Sequence, residues 1–129
     1  MELVRVPTLT QEVPYAYAAV APGGTVYAAG ACPLDETGEV VAPGDVVAQA
    51  ERVMRNLQQA LHAARCDLDD VLKTTVYVAS SDRADLVGAW NVVRSAFGDH
   101  DPPSTLLGVA VLGYPDQLVE VEAVAVRPA

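Results

Sequence analysis

Near the end of the chain, Val119-Glu120-Val121-Glu122-Ala123-Val124-Ala125-Val126 sets two carboxylates into a run that otherwise reads as buried strand. Side chains alternate faces along an extended strand. Glu120 and Glu122 therefore share one face, about 7 Å apart, while Val119, Val121, Ala123 and Ala125 take the other. A carboxylate among apolar neighbours is disfavoured in its charged form, so it either finds a partner or serves a task that uses a perturbed pKa. Proton transfer is such a task. Glu122, between Val121 and Ala123, fits the acid/base role, and Glu120 on the same face would act on it by charge repulsion. The same pattern also describes an exposed strand face carrying two solvated acids.

Other reactive side chains are few. Cys32 and Cys66 stand apart without CxxC spacing, and only His62 and His100 could join them as imidazole ligands. No metal site is expected, and both cysteines are expected to be small buried thiols in a cytoplasmic protein. Seventeen acids against eight scattered bases give a net charge of −9, which opposes a nucleic-acid partner. No run approaches the length of a membrane-spanning helix and no secretory leader opens the chain, so no membrane association is expected.

The elements that must hold these groups follow from periodicity. The 129 residues suit one domain, 1–129, with 51% hydrophobic and only 19% charged residues. Strands are expected at Leu3 to Val6, Ala16 to Val20 and Thr25 to Ala29, the last two forming a hairpin around Pro22-Gly23-Gly24. Asp45 caps a helix whose apolar residues recur at Val46, Ala50, Val53, Leu57, Ala60, Leu61 and Ala64, leaving His62 on the solvated face. A strand over Val71 to Ala79 sets Leu72, Thr74, Val76 and Val78 on one face and Lys73, Thr75 and Tyr77 on the other. A second helix runs from near Asp82 to Gly98, with Trp90 and Phe97 in its core stripe. Two strands, roughly Thr105 to Leu112 and Leu118 to Val126, flank Gly113-Tyr114-Pro115-Asp116. The order βββαβαββ is of the α/β (α+β) class, with two helices covering one face of a six-stranded sheet. The last three strands carry apolar residues on both faces, so the uncovered face calls for a partner, most economically further copies of the chain in a closed ring with clefts between neighbours.

Pro14-Tyr15, the strand ending in Ala29-Gly30 with Pro33 after it, Thr37-Gly38-Glu39, the helix segment AERVMRNL, the strand VLKTTVYV and the terminal VEVEAVAV together resemble the Rid family of reactive-intermediate deaminases, also called YjgF-like. The resemblance covers nearly the whole chain in order. It implies a chorismate-mutase-like fold with a mixed six-stranded sheet, a homotrimer around a central β-barrel, and three intersubunit clefts. For the best-known subgroup it implies hydrolysis of imines and enamines such as 2-aminoacrylate to a keto acid and ammonia, without metal or organic cofactor. Tyr15 matches the subgroup's tyrosine, and Glu122 is taken as its strand carboxylate.

The departures from that subgroup concern binding. In its P-x-R motif an arginine forks the substrate carboxylate, and Pro102-Pro103-Ser104-Thr105-Leu106 sets Ser104 at the expected arginine and Leu106 at a common cysteine. Ala29 replaces a small polar residue before Gly30. Neither Ser104 nor Thr105 can replace a bidentate guanidinium. The expected ligand is therefore neutral or cationic, or is held by its carbonyl through N–H groups near Gly30 and the hydroxyls of Ser104 and Thr105, with Glu120 beside it. Three functions are compatible with this: hydrolysis of an imine or enamine lacking the usual carboxylate, another acid/base step such as tautomerisation, dehydration or cyclisation in specialised metabolism, or ligand binding without turnover.

Overall fold

In the computed structural model, which describes residues 1–129, the N-terminal apolar segments pair first. Strands β1 (Glu2–Val4), β2 (Ala18–Val20) and β3 (Thr25–Ala28) form an antiparallel meander. The turn between β2 and β3 uses Gly23 and Gly24 at φ 98° and 97°, a region that side-chain-bearing residues avoid. The first two strands are shorter than their apolar runs, β1 stopping at Val4 and β2 starting at Ala18. Val6 and Tyr17 beyond those ends still pack into or against the core.

Helix α1 (Val46–Ala63) begins where the Asp45 side chain accepts from the Ala48 N–H at 2.9 Å. One 3-10 turn (Leu68–Asp70), not anticipated from the sequence, leads into β4 (Val71–Val78). Helix α2 (Arg83–Phe97) is capped by Asp82 and ends at Gly98, φ 62°. It returns the chain to β5 (Ser104–Gly108), parallel to β4, and β6 (Val119–Val126) then inserts antiparallel between β3 and β4. The sheet order is β1-β2-β3-β6-β4-β5, a mixed sheet with both helices on one face.

The core lies between that face and the helices, from Val53, Leu57 and Leu61 of α1 and Val93 of α2 to Val76, Val78, Val119 and Val121. Two expectations fail locally. Leu72 does not join Thr74, Val76 and Val78, because a β-bulge between Val71 and Lys73 displaces it to the surface, where it is 50% exposed. Strand β5 ends at Gly108 rather than Leu112. Position 108 has no room for a side chain, since a Cβ there would crowd the carbonyl of Ser80. No helix is long and apolar enough to cross a membrane.

Candidate active site

Strand β6 alternates as its sequence requires, burying Val119, Val121, Ala123 and Ala125 under the helices and turning Glu120 and Glu122 to the opposite, outer face. The two carboxylates then part company. Beyond β3 the chain makes a bridge in which Ala31 N–H donates to Val121 at 2.7 Å and Val121 N–H donates back at 3.2 Å. That bridge lays Ala29, Gly30 and Cys32 alongside Glu120, whereas Glu122 lies further along the strand.

Glu120 forms one wall of an open cleft of about 560 Å³, lined also by Pro14, Tyr15, Ala29, Gly30, Cys32, Gly113 and Tyr114. The carboxylate crosses directly over Gly30: a Cβ at position 30 would fall on Oε2. Oε1 accepts from the Gln117 amide at 3.0 Å, and the Cys32 thiol, with one proton to give, lies 3.4 Å from both Oε1 and the Gly30 carbonyl. On the other wall the hydroxyls of Tyr15 and Tyr114 are 3.0 Å apart, and the Tyr15 ring meets Tyr17 edge-on. Burial, then the bond to Tyr114, raises the titration of Tyr15, so its hydroxyl stays protonated. Burial and the negative charge of Glu120 push the Cys32 thiol up to about 12, so it is a donor here and not a thiolate.

Two of the segments that line the cleft are held by α1. The Asn56 amide donates to the carbonyls of Cys32 and Leu34, each at 2.9 Å, fixing the segment after β3. Gln49, fully buried seven residues earlier and so on the same side of the helix, donates to the carbonyls of Asp116 and Ala42 and accepts from Leu118 N–H at 2.8 Å, fixing the loop before β6.

The structure thus brings Tyr15, Ala29, Gly30 and Glu120 together. It does not bring Glu122 to them. Glu122 accepts from the Tyr77 hydroxyl at 2.6 Å and lines a separate hollow on the outer face with Tyr27, Lys73 and Thr75. Within the chain, Glu120 takes the place by Tyr15 expected of Glu122. Ser104, Thr105 and Leu106 are also outside the cleft. Ser104 pairs with Thr74 on the helix side and accepts from its hydroxyl at 2.6 Å, and Leu106 packs on the core. Of the three, only Thr105 faces outward, beside Thr75. Cys32, Tyr114 and Gln117 are the cleft residues missed from sequence. Cys32 two positions after Gly30 and Gln117 three before Glu120 were the available signals. No three His, Cys, Asp or Glu side chains come together to hold a metal ion.

Residues 7–127 match the family described as Endoribonuclease L-PSP. A RutC family protein of Pyrococcus abyssi is 36% identical over 115 residues, 88% of this chain and 87% of that one. The chain belongs to the Rid (YjgF-like) family. Other Rid relatives include the 2-iminobutanoate/2-iminopropanoate deaminase of Mus musculus, 35% identical over 80% of this chain and 74% of that one. The crystal structure of E. coli TdcF with bound serine superposes with a TM-score of 0.85 at 28% identity, covering 99% of this chain and 100% of that one. The two-helix, six-stranded arrangement is the chorismate-mutase-like fold of these Rid structures.

Proposed function

We propose that this chain hydrolyses a reactive imine or enamine lacking a carboxylate, with Glu120 as the acid/base and Tyr15 as a neutral hydrogen-bond donor. The supporting observation is the Glu120 carboxylate itself, set over Gly30 in an aromatic-walled cleft that no cationic side chain lines. Imine hydrolysis needs water at the C=N carbon and a proton at nitrogen. Glu120 takes a proton from the attacking water and delivers it to nitrogen. In the resulting carbinolamine Glu120 then takes the hydroxyl proton and passes it to the departing nitrogen as the C–N bond breaks, so a carbonyl and the amine or ammonia leave and the carboxylate is as it began. Tyr15, held protonated, donates to a neutral oxygen or to the attacking water. An anionic substrate would face Glu120 with no compensating guanidinium, which disfavours it.

Several copies would complete the site. The outer face exposes Tyr27, Leu72, Leu107 and Val126 at 55, 50, 42 and 37%. We infer a homotrimer that buries this face and sets Thr105 of one copy near a neighbour's cleft. Ammonia release from 2-iminobutanoate and from benzophenone imine, one anionic and one neutral, tests the reading. The neutral imine should be the better substrate, and Glu120→Gln should lower turnover about 10²-fold or more, with Glu122→Gln costing less. Full turnover by Glu120→Gln would sink the assignment.

A further inference from the structure

Glu120 is held asymmetrically. Its Oε1 accepts from the Gln117 amide and lies 3.4 Å from the Cys32 thiol, whose one proton can go there or to the Gly30 carbonyl at the same distance, whereas Oε2 lies over Gly30 and faces the cleft. Gln117 is itself fixed. Its amide oxygen accepts from Tyr114 N–H at 3.2 Å, which orients the amide, and its nitrogen also donates to the Val119 carbonyl at 3.1 Å. Both donors are buried, so neither bond is exchanged freely for one to water.

We propose that Gln117 and Cys32 are positioning residues that occupy Oε1 of Glu120 and so reserve Oε2 as the oxygen that exchanges the proton. This rests on the reading of Glu120 as the acid/base. A freely rotating carboxylate would offer either oxygen and lose alignment. The Gln117 amide on Oε1, with the Cys32 thiol beside the same oxygen, removes that freedom before a ligand arrives. Gln117 also couples the carboxylate to Tyr114, so the donor wall and the acid/base wall are set by one side chain. The titratable and charged groups around Glu120 are Tyr15 and Tyr114 across the cleft, Cys32 beside it, Tyr77 opposite on β4 and Glu122 along β6. None is cationic, so within the chain the donors on Oε1 are the Gln117 amide and the Cys32 thiol, not a guanidinium or ammonium.

The test uses Gln117→Met, Cys32→Ala and Cys32→Ser, assayed with both imines over a pH range. Gln117→Met should lower kcat about 10-fold with little change in KM, and move the acidic limb of the kcat profile to higher pH, since a donor favouring the ionised form is gone. Cys32→Ala should do the same more weakly, and Cys32→Ser, which keeps a donor, should recover most of the loss. An activity-independent readout is the infrared S–H stretch. The Cys32 band should shift between the parent chain and Glu120→Gln, because a carboxylate is a stronger acceptor than the Gln amide oxygen or the Gly30 carbonyl. Unchanged kcat and pH profile in both Gln117→Met and Cys32→Ala, in a chain that Glu120→Gln inactivates, would overturn the inference while leaving the acid/base reading intact. Hydrolysis of neither imine would count against the hydrolase reading instead, and an S–H band identical in the parent chain and Glu120→Gln would then overturn the positioning contact.

Discussion

At the residue scale, the deciding contact is that of Glu120 with Gly30. Gly30→Ala would set a methyl group where Oε2 lies, and the flexible end of Glu120 can swing away. Stability should therefore fall by only about 1 kcal/mol in urea titrations, while turnover drops about 10²-fold because the carboxylate loses its alignment. The Cys32 thiol carries a second expectation. Its ordinary value is 9.0, and in the folded chain burial and Glu120 push it up to about 12. Between those values the unfolded chain has lost a proton that the folded chain keeps, so this contribution is intact below pH 9 and is lost as pH rises toward 12, by up to about 4 kcal/mol. Denaturation at a series of alkaline pH values should show that decline, flattened in Cys32→Ala. The two glutamates, their shared face and the presence of Tyr15 and Gly30 were legible in sequence. Which glutamate reaches Tyr15 was not, since period-two alternation treats Glu120 and Glu122 alike. The Ala31–Val121 bridge separates them, and nothing local to β6 encodes it.

At the element scale, α1 supports the site through polar groups inside an apolar face. Gln49→Leu keeps the bulk but leaves Leu118 N–H and the Asp116 carbonyl without the partners they have here. It should lower stability by about 2–3 kcal/mol by urea denaturation. Both helices could be read from the sequence because their caps, Asp45 and Asp82, and their apolar spacing agree. Gln49 and Asn56 could not. A buried amide is indistinguishable from a solvated one until its partners, 67 and 24 residues away, are known. The same limit applies to Leu72, because a bulge is set by the pairing of β4 with β6 and leaves no mark in the alternation of β4 alone.

At the scale of the whole molecule, the helices cover one side of the sheet and leave Tyr27, Leu107 and Val126 exposed on the other. Sedimentation equilibrium at micromolar concentration should give three times the mass of the 13.5 kDa chain. A folded monomer or a dimer would contradict the ring. The mixed character of that face was readable in sequence, where alternation already sets Lys73, Thr75 and Tyr77 on one side of β4 and Glu120 and Glu122 on one side of β6. The tethering of two cleft segments to a single helix bears on how fast they move. Independent surface loops move within nanoseconds to microseconds, but here the Cys32–Leu34 and Asp116–Leu118 segments cannot swing outward without carrying α1 along or breaking an amide bond to Asn56 or Gln49. Displacement of those two segments is then a collective event of roughly microseconds to milliseconds, slower than the motion of an untethered loop.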